Sequence, residues 1–303
     1  MTSIPPACKL FLRLPRRRVL AGLAATFLGA NARLARAENA FDADEDLRNL
    51  KTYDFSEAGR RVLVIAPKYM AKEQRLPLLV LLHGLGETVD ERMGAYGWLE
   101  RYGLGSAWQR LKRAPIERTS RRGEWTDGRL AEVNDELAVR PFRGFILACP
   151  FMPNPKGPAD LDAYARWIER ALLPRVRSEA PCDPAKTFLC GVSLGGYVSL
   201  EMLARMPGVF DAWGGVQTAI GPWAARNYAD KIATMAKRPK CFLLTSSQDH
   251  WRASSEALHA TLDAKGLAPT FRVTPGPHDQ PWLRESGSIE TLLWFDRLSY
   301  ASL

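Results

Sequence analysis

Short apolar runs alternate along this chain with longer stretches in which apolar residues recur at helical spacing. Continuous apolar runs of four to eight residues are typical of strands that are buried on both faces of a sheet. Such runs predict seven strands. The predicted strands are Arg61–Ala66, Leu78–Leu82, Gly144–Ala148, Thr187–Cys190, Trp213–Val216, Cys241–Thr245 and Thr270–Thr274.

The amphipathic stretches lie between these strands and after the last of them, and they predict helices. They are Asp160–Ser178, Tyr197–Arg205, Pro222–Lys237, Ser254–Lys265 and Trp282–Leu298. Strands that alternate with helices indicate an α/β fold with a mostly parallel central sheet and helices on both faces. Residues 88–140 are less regular, and we expect an insertion over the sheet edge there. No linker interrupts residues 38–303, which predicts a single domain.

The first 37 residues differ from the rest of the chain in charge. The whole chain of 303 residues has a formal net charge of +9. Residues 1–37 contain seven basic residues and no acidic one, so a charge of only +2 remains for the rest. The basic excess therefore does not favour a nucleic-acid-binding protein.

This N-terminal segment has the pattern of an export signal. Three arginines, Arg16 to Arg18, precede an apolar stretch over residues 19–30, and Ala35-Arg36-Ala37 has the form of a cleavage site. The stretch is too short to span a membrane. Paired arginines before a weakly hydrophobic core are typical of twin-arginine signals, and an ordinary secretory signal is the alternative. We expect a bacterial protein that is periplasmic or secreted, without a membrane span after processing.

The strongest chemical signal is Gly191-Val192-Ser193-Leu194-Gly195-Gly196, between a predicted strand and a predicted helix. A serine with glycines two positions before and after it is what a nucleophile elbow requires, because the sharp turn leaves no space for side chains at the flanking positions. The alternative is a turn without chemical function. In this context Ser193 is the candidate nucleophile.

A serine nucleophile needs a general base and an acid that orients the base. The chain has four histidines. His278 follows the last strand and Asp249 follows the strand before it, so both should emerge at the carboxyl edge of the sheet together with Ser193. The order Ser, Asp, His is that of α/β-hydrolase triads. Asp211 and Asp279 are the nearest alternatives to Asp249.

An oxyanion hole should complete the site, because attack on a carbonyl builds negative charge on its oxygen. The backbone N–H of Leu194, directly after the nucleophile, is one predicted donor. The glycine-rich loop that begins at His83 should supply the second, and we favour the N–H of Leu85. His83 itself is expected to shape this loop through hydrogen bonds.

The segments Leu81-Leu82-His83-Gly84, Asp183–Gly196 and Gly276-Pro277-His278-Asp279 resemble the α/β-hydrolase superfamily. Within it they are most similar to exported esterases of the polyhydroxyalkanoate-depolymerase and feruloyl-esterase type. The resemblance implies a serine hydrolase that acts through an acyl-enzyme, with Ser193, Asp249 and His278 as the triad.

We therefore predict a carboxylic-ester hydrolase that acts on a small-molecule or polymeric ester and needs no metal or organic cofactor. The alternatives are a peptidase or acyltransferase on the same fold, or a binding protein on an inactive hydrolase scaffold. Trp125 and Trp251 are candidate substrate-binding residues, together with Trp98 and Trp108, although packing in the core is the simpler interpretation. Cys149, Cys190 and Cys241 are expected to be buried, whereas Cys182 lies in a polar turn. The sequence leaves acyl specificity, alcohol specificity and oligomeric state open.

Overall fold

One sheet of eight strands runs through the computed structural model, which describes residues 41–300. The order across the sheet is β1-β2-β4-β3-β5-β6-β7-β8. The first three strands in this order pair antiparallel, and all later pairs are parallel. The strands are β1 (Leu50–Glu57), β2 (Arg60–Pro67), β3 (Leu76–Leu82), β4 (Ile146–Pro150), β5 (Cys182–Val192), β6 (Ala212–Val216), β7 (Lys240–Gln248) and β8 (Thr270–Pro277).

The seven predicted strands are all present, and β1 is the strand that the sequence analysis missed. β1 forms a hairpin with β2 through Ala58 and Gly59, whose φ angles are both positive, at 45° and 77°. Such two-residue turns match the twist of antiparallel strands. As the edge strand β1 is only partly covered, so its side chains alternate in burial and include charged residues. A search for continuous apolar runs does not detect such a strand.

Helices connect the strands and cover the sheet. The α-helices are α1 (Ala43–Asp46), α2 (Glu91–Tyr96), α3 (Leu104–Lys112), α4 (Asp127–Val139), α5 (Pro158–Trp167), α6 (Leu173–Glu179), α7 (Leu194–Arg205), α8 (Ala225–Ala233), α9 (Arg252–Ala264), α10 (Gln280–Trp282) and α11 (Ser288–Ser299). Leu85–Val89 and Pro222–Ala224 are 3-10 turns, and Gly97–Arg101, Ile168–Leu172 and Leu283–Gly287 are wider π turns.

Both faces of the sheet are buried, as β3 shows. All seven residues of β3 are buried, and successive side chains enter opposite cores because side chains alternate along a strand. Leu78, Val80 and Leu82 pack in a first core, on the side of helices α5 to α9. Leu79 and Leu81 pack in a second core on the other side, with residues of α3, α4 and α11. The α/β architecture with a mostly parallel sheet, predicted from the alternating pattern, agrees with this arrangement.

Residues 88–140, where the sequence predicts an insertion over the sheet edge, contain regular helices. They contain α2, α3 and α4, and much of this segment packs into the second core beside α11. Trp98 and Trp108 are 0% and 2% exposed there. The many tryptophans of this segment therefore supply apolar area to one face of the sheet.

The sequence also made predictions about the N-terminal segment and the cysteines. The predicted export signal, residues 1–37, lies outside the described residues and stays a prediction. Within residues 41–300, no helix combines the length and the apolar character that a membrane span requires. Cys149, Cys182, Cys190 and Cys241 are free thiols, and all four are buried. Cys182 thus differs from the expected polar environment because it begins β5, where it joins the first core.

Candidate active site

Ser193 stands alone between the end of β5 and the start of α7, in a strained conformation. Its φ is 55° and its ψ is −117°, a combination that L-residues rarely adopt. Two backbone hydrogen bonds hold it there: the Ser193 N–H donates to the Val216 carbonyl at 2.9 Å, and the Ala219 N–H donates to the Ser193 carbonyl at 3.0 Å. Strain of this kind persists only where the surroundings enforce it, and it is concentrated at functional sites.

The glycines around Ser193 are required by close backbone approach. A Cβ on Gly191 would lie 2.1 Å from the carbonyl oxygen of Gly195. A Cβ on Gly195 would lie 2.4 Å from the carbonyl oxygen of His83. Both are backbone atoms that cannot move aside without displacing the elbow or the end of β3. The steric reason for the glycine spacing that the sequence suggested is therefore present in the structure.

Asp249 and His278 form a hydrogen-bonded pair at the carboxyl ends of β7 and β8. The distance from His278 Nδ1 to Asp249 Oδ1 is 2.7 Å, and the side chains are 6% and 0% exposed. The same Oδ1 accepts the Trp251 N–H at 2.9 Å, and Oδ2 accepts the Thr245 hydroxyl at 2.6 Å. With the Nδ1 proton directed at the carboxylate, the basic lone pair of the imidazole is on the other ring nitrogen, Nε2.

The pKa of Asp249 shows which effect dominates in this pair. Burial alone would raise it, but the hydrogen bond and charge of His278, together with the donors from Thr245 and Trp251, outweigh burial and lower the pKa below that of an ordinary aspartate. Asp249 is therefore ionised at neutral pH. A fixed carboxylate next to Nδ1 favours the positive charge that an imidazole acquires when it accepts a proton.

The loop after β3 faces the elbow. A Cβ on Gly84 would lie 3.9 Å from the Cβ of Ser193. Leu85 begins the 3-10 turn and Leu194 begins α7. The first N–H groups of a helix have no acceptor within it, and they carry partial positive charge. The two predicted donors are thus both placed at helix starts, on loops that meet beside Ser193.

His83, at the beginning of this loop, has a buried, neutral side chain. It is 0% exposed; its Nε2 accepts the Met152 N–H at 2.9 Å, and its Nδ1 is 2.9 Å from the Gly84 carbonyl, to which it donates. Burial lowers the pKa of His83 to about 4, against a smaller opposing effect of the Gly84 hydrogen bond. Both ring nitrogens are occupied by the backbone, which agrees with a role in shaping the loop.

A buried carboxylate that the sequence analysis did not single out also supports the loop. Glu87 is 3% exposed, accepts a short hydrogen bond from the Tyr102 hydroxyl, and lies 3.2 Å from the Arg101 guanidinium. The Tyr102 oxygen in turn accepts the Gly84 N–H at 3.0 Å. Burial raises the pKa of Glu87, although Tyr102 and Arg101 oppose this effect. No local sequence signal links Tyr102 to Glu87, because they meet only in the folded chain.

The remaining candidate acids and bases are occupied elsewhere. Asp211 accepts the Thr187 N–H at 2.9 Å near the start of β6, and Asp279 accepts the Trp282 N–H at 2.9 Å and pairs with Arg122. His259 stacks on Phe271, with ring centroids 4.9 Å apart. Asp249, by contrast, has a hydrogen bond to His278 Nδ1 at 2.7 Å.

His250 is the other histidine near the site. Its ring centroid lies 4.6 Å from that of His278, and its side chain is 51% exposed. Asp249, His250 and His278 offer ligand atoms within 4.8 Å of one another, the only such group found in residues 41–300. Both oxygens of Asp249 already accept hydrogen bonds from protein donors. The donor set therefore fits a hydrogen-bonded relay better than a metal site.

The two tryptophans predicted to bind substrate have different surroundings. Trp125 is 3% exposed, and its indole N–H donates to the Glu285 carbonyl at 3.1 Å, so the structure places it in the core rather than in a cleft. Trp251 is half-buried beside His250, and its indole nitrogen has no hydrogen-bond partner in the part of the chain that the structure describes. Of these two, only Trp251 is partly exposed and lies beside the Asp249–His278 pair, and its indole nitrogen is itself buried.

A cavity of about 570 Å³ lies elsewhere in the molecule. Its walls include Asp46, Gln109, Arg110 and Arg284, and none of the residues of the candidate triad lines it. The candidate reactive groups are those of the elbow and of the Asp249–His278 pair, and they lie outside this cavity.

Comparisons with known proteins identify a matching family segment and a shared fold. Residues 148–274 match the family described as putative esterase, a segment that contains Ser193 and Asp249. A ferulic acid esterase structure superposes with a TM-score of 0.61 at 16% identity, covering 82% of this chain and 98% of the other. This chain has the α/β-hydrolase fold.

Two further solved structures superpose on a similar share of the chain. The S-formylglutathione hydrolase of Staphylococcus aureus gives a TM-score of 0.58 at 13% identity, covering 82% of this chain and 99% of the other. A ferulic acid esterase of Anaeromyces mucronatus gives 0.54 at 14% identity, covering 82% and 90%. No curated protein sequence matches. The superpositions show the fold that this chain shares with these enzymes.

Proposed function

We propose that this α/β-hydrolase cleaves carboxylic esters through an acyl-enzyme formed on Ser193. The observation that carries the proposal is the hydrogen bond between His278 and the buried, ionised Asp249, at the sheet edge where the strained elbow presents Ser193. A binding protein on an inactive scaffold would have no use for this pair, which costs the burial of a carboxylate. We therefore place the non-catalytic alternative second.

In the proposed mechanism, the Ser193 Oγ attacks the ester carbonyl carbon as the His278 Nε2 takes its proton. Asp249 balances the positive charge on the imidazole. The N–H groups of Leu85 and Leu194 bind the oxyanion. The tetrahedral intermediate then collapses, and His278 passes the proton to the leaving alcohol. Water, deprotonated by His278, then attacks the acyl-enzyme carbonyl, and as the second tetrahedral intermediate collapses, the acid is released and His278 returns the proton to the Ser193 Oγ.

Trp251 is proposed to contact the substrate beside this centre. It follows His250 in the loop that carries Asp249, and its side chain is only half-buried, so part of the indole ring can contact an apolar or aromatic part of the substrate. Peptidase and acyltransferase activities use the same groups and remain alternatives that substrate assays separate.

The decisive experiment measures turnover of a panel of p-nitrophenyl esters and methyl hydroxycinnamates by the wild type and Ser193→Ala. We expect turnover of at least one short ester, and a loss of several orders of magnitude in the variant. A fluorophosphonate should label the wild type and not the variant. Equal activity or equal labelling of the two proteins would contradict the proposed function.

A further inference from the structure

Residues 216–219, at the end of β6 and directly after it, contact both the Ser193 elbow and the loop that carries His278. Val216 and Ala219 hold the backbone of Ser193 on its two sides, through the hydrogen bonds of 2.9 and 3.0 Å described above. Between them lies Gln217, which is fully buried. Its own N–H donates to the Leu244 carbonyl at 2.7 Å, so the segment is anchored to β7 as well.

The side chain of Gln217 reaches the loop that carries His278. Its Nε2 donates to the Ser246 hydroxyl at 2.8 Å and to the Pro277 carbonyl at 3.1 Å. The Ser246 hydroxyl donates to the same carbonyl at 3.0 Å. A carbonyl oxygen can only accept, so the amide nitrogen and not the amide oxygen must face Pro277. The three groups form a closed triangle of hydrogen bonds across the ends of β6, β7 and β8.

This triangle supports β8 where its regular pairing is interrupted. The register between β7 and β8 shifts between the Ser246 and Gln248 pairs, and Gly276 has a φ of 125°. The Pro277 carbonyl belongs to the peptide unit that leads into His278. Fixing that carbonyl fixes the main chain of His278, whereas Asp249 fixes the orientation of its ring.

The backbone at Gln217 shows that this side chain is retained against a conformational cost. Its φ is 46°, in the left-handed region that glycine adopts freely and other residues rarely do. If the turn alone were needed here, glycine would satisfy it with less strain. The glutamine is therefore explained by its amide group.

We propose that Gln217 is a positioning residue that fixes the position of the nucleophile, Ser193, relative to the base, His278. The same four-residue segment holds Ser193 through its backbone and His278 through the Gln217 amide. In this proposal, Gln217 controls the distance between Ser193 and His278. The proposal rests on the proposed function, because that distance affects catalysis only if the two residues act as nucleophile and base.

The test compares Gln217→Gly with Ala268→Gly. Both remove a side chain from a non-glycine residue with positive φ, 46° and 42°, and Ala268 is exposed on the loop before β8. We expect Gln217→Gly to lower kcat by roughly 10- to 100-fold with KM changed less than about threefold, because a small misplacement of a base affects the chemical step. The rate of fluorophosphonate labelling should fall in parallel. Ala268→Gly should leave both rates unchanged.

Two further variants complete the test. Gln217→Glu keeps the shape of the side chain but removes the amide donors, so it should lose activity like Gln217→Gly. Ser246→Ala deletes one hydroxyl of the triangle, and we expect kcat lower by about 3- to 10-fold with little effect on KM. This variant carries the test if Gln217→Gly fails to fold, which thermal unfolding will report.

The outcomes distinguish this proposal from the proposed function. Wild-type kcat and labelling rate in a folded Gln217→Gly, or in Ser246→Ala if Gln217→Gly does not fold, would overturn the positioning role and leave the esterase assignment intact. A wild type that neither turns over esters nor reacts with the fluorophosphonate would overturn both. Parallel losses of kcat and labelling, with KM preserved, support Gln217 as the coupling residue.

Discussion

Replacing Asp249 by asparagine tests the electrostatic role of the carboxylate with little change in shape. In the variant, the side-chain oxygen can still accept from the Trp251 N–H and from His278 Nδ1, as Oδ1 does now at 2.9 and 2.7 Å. The new amide nitrogen then faces the Thr245 hydroxyl, whose oxygen can accept a hydrogen bond. The orientation and tautomer of His278 can therefore persist, and the main change is the loss of negative charge.

The expected loss follows from the charge interaction in the transition state. A full positive charge on His278 at about 4 Å from the carboxylate charge centre is stabilised by about 4 kcal/mol at an effective dielectric constant of about 20. Each 1.4 kcal/mol or so corresponds to a factor of ten in rate. We therefore expect kcat of Asp249→Asn to fall by about 10³-fold, with KM changed by only a few-fold.

Steady-state kinetics on the best ester of the panel measures this loss, with Asp211→Asn as the matched control. Asp211 lies near the start of β6, where its carboxylate accepts the Thr187 N–H. Asparagine can keep that bond, so the control should have kcat within about twofold of the wild type. A kcat of Asp249→Asn within tenfold of the wild type, in a folded protein, would refute the assignment of Asp249 as the charge partner of His278.

Two further predictions concern histidines. His278→Ala should lower kcat by several orders of magnitude, whereas His259→Ala, which removes only a ring stacked on Phe271, should change kcat by a few-fold at most. If steady-state kinetics showed the reverse, His278 would not be the base. The lowered pKa of His83, about 4, means that the unfolded chain binds a proton near pH 6.5 that the folded protein does not. The free energy of unfolding should therefore fall by about 3 kcal/mol as the pH drops from about 6.5 to 4. Urea unfolding of His83→Gln should show a shallower dependence of this free energy on pH. An identical pH dependence in the variant and the wild type would exclude His83 as its origin.

The alternation of apolar runs and amphipathic stretches was enough to predict the class of fold and most strands. It worked best for β3, where every residue is buried and the run is continuous. It failed for β1, whose exposed edge position lets charged and polar residues alternate with Tyr53 and Phe55. It also did not reveal the helices of residues 88–140, because sequence alone cannot tell whether a tryptophan-rich segment covers a sheet or flanks a cleft.

The candidate site divides in the same way. Gly191, Ser193 and Gly195 could be found from local spacing, because one tight turn imposes the constraint on neighbouring residues. Asp249 and His278 could be chosen from the topology of parallel sheets, which brings the carboxyl ends of the strands together. Their hydrogen bond agrees with that choice of partners, while their catalytic roles stay predictions.

The sequence by itself determined the alternating architecture and the elbow, since both depend on residues that are close along the chain. Only the tertiary structure decided that Trp125 is buried, that Glu87 and Tyr102 support the loop after β3, and that the Gln217 amide holds the Pro277 carbonyl. Those contacts join residues that are 15 or more positions apart through side-chain hydrogen bonds or packing. No periodicity records such contacts, because their partners are fixed by the packing of the whole sheet.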